Sequence, residues 1–234
     1  MLIGGLQKLT LIDYPGEMAA TVFTIGCNFS CGFCHNPELV DAQKIKIQPQ
    51  IKEEDFFDFL KSRIGILDGV CITGGEPTLQ PDLEEFCTKI KDLGFDVKLD
   101  TNGSRPDVLK NLIKKDVLDY IAMDIKAPLI KEKYEMVVGV KVDIDKIKES
   151  IEIIKNSGLR YEFRTTILPA LHEKEDILEI AQSLSPADLY CLQQFRGGKV
   201  LDTGFEKEKP YLKEEIEEIH KDISKYFKKC IIRE

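Results

Sequence analysis

Residues 21–37, "TVFTIGCNFSCGFCHNP", open with a short β-branched and apolar run and pass directly into three cysteines, Cys27, Cys31 and Cys34, spaced C-x3-C-x2-C. The run Thr21–Ile25 has the character of a buried parallel strand. The thiols therefore sit just beyond a strand's carboxyl end. The next cysteine is Cys71, more than thirty residues on. Three thiolates are gathered in one loop, and the set is one ligand short of a closed tetrahedral site.

Working outward, short apolar segments alternate with amphipathic ones. Strands are expected near Thr21–Ile25, Gly69–Thr73, Phe95–Asp100, Tyr120–Met123, Tyr161–Ile167 and Leu189–Phe195. Between them run apolar stripes at helical spacing. One is Leu83, Phe86, Cys87, Ile90 and Leu93; another is Ile144, Ile147, Ile151 and Ile154. A third is Ile177, Ile180, Ala181 and Leu184, and the last is Leu212, Ile216, Ile219, Ile223 and Phe227. Six βα units in succession predict a parallel sheet with helices outside it. Six are too few for an eight-stranded barrel, so a partial, curved barrel or a doubly wound sheet is expected. Ahead of the first unit, "LTLIDYPGEMAATVFT" reads as a hairpin turning at Asp13-Tyr14-Pro15-Gly16. No linker or repeat divides residues 1–234, which are read as one domain.

Composition limits the function classes. Hydrophobic residues make up 43% and charged residues 32%, the balance of a globular protein. There is no apolar run of the roughly 18 residues that a membrane span requires, and no signal-peptide pattern at the start. A cytoplasmic setting is expected, where clustered cysteines more often serve metal or redox chemistry than disulfides. The formal net charge of −8 speaks against a nucleic-acid partner.

The polar motifs recur at one place in each unit, just past the strand. "GGEPT" (74–78) follows the second strand, "DTNG" (100–103) the third, and "MDIK" (123–126) closes the fourth. Arg164 lies in the fifth, and "QQFR" (193–196) closes the sixth. Singly, each could be a turn, a cap or a surface ion pair. Together they lie on the face where parallel α/β folds bind ligands. For the cysteines, a structural zinc site with His35 as fourth ligand is one reading, but zinc ligands usually come as two knuckles far apart in sequence. A disulfide plus a spare thiol is another. An iron–sulfur cluster fits better, since three thiolates on a four-iron cluster leave one iron open to a ligand.

The C-x3-C-x-aromatic-C loop, followed by Gly74-Gly75-Glu76-Pro77 in the next unit, resembles the radical SAM superfamily. "CGFCHNP", "DTNG" and "MDIK" in successive units resemble activases of glycyl radical enzymes. The stretch from Leu9 to Leu39 is similar to the group that activates anaerobic ribonucleoside-triphosphate reductase. The resemblance implies a partial (β/α)6 barrel with a curved parallel sheet behind an N-terminal β-hairpin, forming a single radical SAM domain. It implies that Cys27, Cys31 and Cys34 ligate a [4Fe–4S] cluster whose open iron takes S-adenosylmethionine. Phe33 would lie near the adenine, with Asn36 close by or serving only as a turn residue. Gly74 and Gly75 would let the backbone approach the methionine, and Glu76 would help hold its amino group. Asp100, Thr101, Asn102 and Asp124 would serve a ribose, an ammonium or a bound monovalent cation. Lys126 or Arg164 would pair with the cofactor's carboxylate, and Arg196 would stand where some activases carry a histidine.

The chemistry implied is reductive cleavage of S-adenosylmethionine to a 5′-deoxyadenosyl radical, with no side chain acting as acid, base or nucleophile. The implied partners are a glycyl radical enzyme, in the first place the large subunit of an anaerobic ribonucleotide reductase, and an electron donor such as flavodoxin or ferredoxin. Alternatives are an activase for a pyruvate formate-lyase-like enzyme and small-molecule chemistry of the 7-carboxy-7-deazaguanine synthase kind. A non-enzymatic alternative is a zinc-stabilised binding module. Cys71 and Cys87 are expected in the core, and Cys191 could face either core or site. His172 and His220 are expected at the surface or at helix caps.

Overall fold

The structure, a computed structural model, describes residues 1–233. It divides into two compact units that share the chain in alternation. The first takes Met1–Asn28, Asn36–Thr101 and Asp107–Ile121; the second takes Phe29–His35, Asn102–Pro106 and the chain from Ala122 onward.

The first unit opens with strands β1 (Ile3–Thr10) and β2 (Ala19–Thr24), which pair antiparallel. Strands β3 (Gly69–Gly74) and β4 (Asp96–Thr101) follow in parallel, with Thr24 opposite Gly74 and Ile72 opposite Leu99. The start of β5 (Tyr120–Asp124) also belongs here. Short helices α1 (Pro37–Val40) and α2 (Ala42–Ile45) precede α3 (Glu53–Lys61), α4 (Leu83–Asp92) and α5 (Pro106–Lys114). Helix α4 forms because Leu83, Phe86, Cys87 and Ile90 fall on one face and are all buried. Glu84 and Glu85 in its first turn, and Lys89 and Lys91 in its last, oppose its dipole favourably. Phe86 stacks on Phe56 of α3 with ring centroids 5.1 Å apart, and burial of each ring contributes about 1.5–3 kcal/mol.

The second unit holds the end of β5 and the parallel strands β6 (Arg160–Ile167), β7 (Ala187–Gln194) and β8 (Phe227–Arg233). Its helices are α6 (Lys131–Val138), α7 (Ile144–Lys155), α8 (Lys174–Leu184) and α9 (Lys213–Ile223). Asp143 caps α7 by accepting from the Asp145 amide, and Glu173 and Asp176 form a capping box on α8. Strand order follows the chain from β1 to β8 without returning, so the sheet is not closed. No helix among the described residues is long and apolar enough to cross a membrane.

The α/β alternation and the leading hairpin are those expected from sequence; three local readings change. The first hairpin strand begins at Ile3, not Leu9. Gly4 and Gly5 hide it, because glycine carries no strand pattern. The turn centres on Pro15 and Gly16, closed by the Glu17 amide on the Tyr14 carbonyl at 3.1 Å. Tyr14 is buried edge-on against Tyr120, so it belongs to the core. At the other end, α9 stops at Ile223, and Phe227 opens an eighth strand where the apolar stripe suggested more helix. Phe227 lies opposite Ala187 in register and stacks on Tyr190 at 4.6 Å, so sheet packing overrides the helical spacing.

Candidate functional site

In the first unit, the segment leading to Cys27 is fixed by backbone. The Gly26 amide donates to the Leu39 carbonyl at 2.7 Å, and the Gly26 carbonyl accepts from the Glu76 amide at 2.8 Å. The Gly75 amide donates to the Thr24 carbonyl at 2.9 Å. Gln80, which the sequence did not single out, donates from its side chain to the Ile25 carbonyl at 2.8 Å. A Cβ on Gly74 would meet the Thr24 backbone, and one on Gly75 would meet the Gly26 carbonyl. "GGE" thus lies flat against the chain that carries Cys27, and no larger residue fits there.

Glu76 is buried, 1% exposed. Its Oε1 accepts from the Thr78 amide at 3.2 Å, the Thr78 hydroxyl at 2.5 Å and the Thr101 hydroxyl at 2.7 Å. The carboxylate therefore braces its own turn and the end of β4. Asp100 is bound by Lys98, which is fully buried two residues back on the same face of β4. The Lys98 ammonium lies 3.7 Å from the Cys71 sulfur and 5.7 Å from the centroid of the Tyr120 ring. Strand alternation in "VKLD" was the signal that could have found Lys98. Cys71 and Cys87 are buried, as expected of core residues.

In the second unit, the cysteine loop Phe29–His35 is gripped from two directions. On one side the Ser30 amide donates to the Val138 carbonyl at 2.9 Å, and Phe29 packs edge-on against Tyr134 of α6. On the other, the chain after β7 donates from the Leu201 amide to the Cys34 carbonyl at 3.0 Å and from the Asp202 amide to the Gly32 carbonyl at 2.8 Å. His35 stacks on Phe195, and its Nε2 donates to the Arg196 carbonyl at 2.7 Å. Arg196 therefore meets the loop through its backbone. Asn36 leads into α1 with its carbonyl accepting from the Leu39 amide, and its side chain makes no cap. Phe33 and Cys31 are buried; Cys27 and Cys34 are half-buried, and none of the seven cysteines forms a disulfide. Burial pushes the Cys31 thiol up to about 11, although the Lys126 ammonium opposes that shift. Among the described residues, no three His, Cys, Asp or Glu side chains converge as ligands of a single metal ion. A cluster asks for something different, one thiolate to each of several irons.

The "MDIK" carboxylate stands between two cations. Asp124 Oδ1 accepts from Arg164 Nε at 2.7 Å, and Oδ2 accepts from Lys126 Nζ at 3.0 Å. Burial alone would raise the Asp124 carboxyl, but Arg164 and Lys126 hold it well below the usual carboxylate range. Burial would likewise lower Lys126, yet Asp124 keeps it charged. The chain of charges continues through residues outside the motifs. Glu162, fully buried on β6, lies 3.9 Å from Arg164 and accepts from Arg233 of β8 at 3.2 Å. His172 is buried as well, so its expected surface position is corrected. Its Nε2 donates to the Lys126 carbonyl at 2.8 Å while Nδ1 accepts from the Leu168 amide. Asn102 is buried, and its side chain accepts from the Ser104 amide at 2.9 Å. Cys191 is buried in β7, and His220 donates to the Cys230 carbonyl.

Comparison with known proteins adds a second line. The Radical SAM superfamily profile matches residues 21–184. A Methanocaldococcus jannaschii protein, MJ1227, named as a glycyl-radical enzyme activating enzyme, is 36% identical, covering 99% of this chain and 95% of its own. A Pyrococcus horikoshii protein named as a GTP 3′,8-cyclase is 32% identical, over 61% of this chain and 45% of its own. The crystal structure of Streptococcus suis SuiB bound to S-adenosylmethionine superposes with a TM-score of 0.66 at 16% identity, over 90% of this chain. The chain spans about half the length of SuiB, at 48%, and that likeness speaks for the fold alone.

Proposed function

This chain belongs to the radical SAM superfamily, and on that premise we propose that it activates a glycyl radical enzyme. The family uses a [4Fe–4S] cluster and S-adenosylmethionine. The observation that carries the reading is the match to MJ1227, which at 36% identity runs almost end to end in both chains, whereas the Pyrococcus horikoshii cyclase is covered over 45% of its length. The profile match takes in stretches of both compact units, which supports reading the chain as one radical SAM domain. A cytoplasmic setting is part of this proposal.

The residues suit the cofactors. The C-x3-C-x2-C loop offers a soft thiolate donor set, and the Gly74-Gly75 cradle excludes side chains where backbone must lie close. Cys27, Cys31 and Cys34 would hold the cluster. Bound together, cluster and cofactor supply reductive cleavage of S-adenosylmethionine to a 5′-deoxyadenosyl radical, which takes a hydrogen atom from a backbone glycine. The protein's own part is to bind and orient. Asp124 is bracketed by Lys126 and Arg164, and Arg164 also lies 3.9 Å from Glu162, which pairs with Arg233; these three cations and two carboxylates carry one net positive charge, and Lys126 or Arg164 would meet the cofactor's carboxylate. A monovalent cation would have to share Asp100 with the Lys98 ammonium. Glu76, Thr101 and Asn102 would act by holding the strand-end turns in shape, with Phe33, Asn36 and Arg196 placed along the cysteine loop and its clamp.

The partner proposed is the large subunit of an anaerobic ribonucleotide reductase, with flavodoxin or ferredoxin as electron donor; the opening stretch through "CGFCHNP" supports it. The test mixes the reduced protein, S-adenosylmethionine and that subunit without oxygen, with the subunit's glycines deuterated at the α-carbon. Deuterium should enter 5′-deoxyadenosine, and a glycyl radical doublet should appear in the electron paramagnetic resonance spectrum. Label confined to the subunit, with a purine nucleotide or deazapurine precursor consumed instead, would establish the small-molecule reading that the cyclase likeness favours.

A further inference from the structure

The clamp on the cysteine loop is more elaborate than a chance crossing of two loops. The Leu201 and Asp202 amides take the carbonyls of Cys34 and Gly32. The Asp202 side chain then caps the 3-10 turn Thr203–Phe205 by accepting from the Gly204 amide at 2.9 Å. That turn delivers the Phe205 ring to Gly32. A Cβ on Gly32 would lie 2.6 Å from Phe205 Cε2, 3.0 Å from Cδ2 and 3.3 Å from the Asp202 Cβ. The far end of the segment is closed by the Gly198 amide on the Glu206 carbonyl at 3.1 Å. Phe195 and the Arg196 carbonyl fix His35 at the loop's other end. Gly32, Cys34 and His35 are therefore held by residues 195–206, far away in sequence and, past the "QQFR" end of the sixth strand, outside the motifs.

We infer that residues 195–206 form a strap that sets the geometry of the cysteine loop, with Phe205 as a positioning residue for the iron–sulfur cluster through its contact with Gly32. The inference rests on the reading that Cys27, Cys31 and Cys34 hold a cluster. The physical reason is entropic. A short loop with three donors binds a rigid cluster well only if it is already ordered, because each residue left loose adds an ordering cost when the cluster enters. Two amide hydrogen bonds and one aromatic contact supply that order in advance. Phe205 touches the glycine between two of the ligands, so its loss should loosen the loop without removing a ligand.

The test uses the full chain, reconstituted with iron and sulfide without oxygen, and follows the cluster and not turnover. Phe205→Ala should lose iron to a ferrous chelator about tenfold faster than the parent, the factor to which about 1.4 kcal/mol corresponds. The melting temperature of its metal-free form should stay close to the parent's. Phe205→Leu, which keeps apolar bulk at Gly32, should recover most of the retention. Gly32→Ala should also shed iron quickly, because its methyl would collide with the ring. In Gly32→Ala with Phe205→Ala the collision is gone, so iron loss should be slower than in Gly32→Ala alone, a non-additivity that marks direct coupling. Iron loss at the parental rate in Phe205→Ala overturns the inference. So does strict additivity in the double variant, or faster loss matched by an equal collapse of the metal-free fold in Phe205→Leu as well. A parent chain that takes up no iron at all overturns the cluster reading itself, and the two failures are told apart by that first measurement.

Discussion

The two units both carry acidic residues at the carboxyl ends of their strands, and they use them differently. In the first, Glu76 spends one oxygen on three donors from Thr78 and Thr101, and Asp100 is matched by the buried Lys98. One carboxylate is braced by an amide and two hydroxyls, and the other is bound by a buried lysine. In the second, Asp124 is shared by Lys126 and Arg164, and Glu162 stands between Arg164 and Arg233, so three cations face two carboxylates. A buried group whose partners all come from its own chain reads as structure. A surplus charge held in place at a strand end reads as a place for an anion.

The largest effect is expected at the cysteines. Cys27→Ala, Cys31→Ala and Cys34→Ala should each abolish formation of 5′-deoxyadenosine from S-adenosylmethionine, while Cys87→Ala, on the buried face of α4, should leave it largely intact. Product is quantified by chromatography after anaerobic reconstitution. Full turnover in any of the three loop variants would remove that cysteine from the ligand set.

The next effect falls on stability in the first unit. Lys98→Met removes the buried ammonium that binds Asp100, and breaking a buried pair from one side costs about 3–5 kcal/mol. Adding Asp100→Asn to Lys98→Met should restore much of the loss, since the orphaned charge is gone. Urea denaturation of the metal-free chain measures both. A loss below about 1 kcal/mol for Lys98→Met would mean that the pair is not buried as an ion pair in solution, given the small worth of exposed pairs.

In the second unit the same kind of change should act on binding. Lys126→Ala should weaken S-adenosylmethionine binding by about 1.5–3 kcal/mol, tenfold or more, with the cluster retained. Asp124→Asn keeps the shape and raises the local positive charge, so it should weaken binding less than Lys126→Ala does. Calorimetric titration of the reconstituted protein separates the two. The reverse order would place the ligand's contact on Asp124 itself.

Much of this division was open to reading in the sequence, and the rest was hidden for identifiable reasons. The βα rhythm and the strand-end motifs are local patterns, written in consecutive residues such as "GGEPT" and "MDIK". Lys98 was half legible: strand alternation puts it on the face of Asp100, but a lysine is ordinarily read as exposed. Arg233 and Phe205 were not legible at all. Arg233 reaches Glu162 across 71 positions of sequence, and Phe205 meets Gly32 across a gap more than twice as long. Such pairings depend on register and loop path, which one sequence without relatives does not encode visibly. The eighth strand was lost for a related reason, since Phe227 extends the α9 stripe in sequence and leaves it only in the fold.

The smallest expected effect concerns His172, the second unit's remaining titratable support. Its imidazole is buried and neutral, donating to the Lys126 carbonyl and accepting from the Leu168 amide. Burial lowers its pKa from the ordinary value, outweighing the carbonyl contact and the Asp176 charge that raise it. The sign follows from proton counting. Below the unfolded value of about 6.5 the unfolded chain takes up a proton that the folded chain refuses, so the stability held above that pH is lost as pH falls. One proton bounds the slope at about 1.4 kcal/mol per pH unit. Asp124 and Asp176 also have depressed values, but as carboxylates they weaken the fold only at lower pH, beneath their ordinary range. Between about pH 5 and 7 the parent should therefore lose stability on acidification, whereas His172→Gln should start less stable and show a flatter profile. Denaturant midpoints across that range provide the measurement. Parallel profiles for parent and variant would show that His172 does not stay neutral in the fold, and that the Lys126 backbone is held by some other contact.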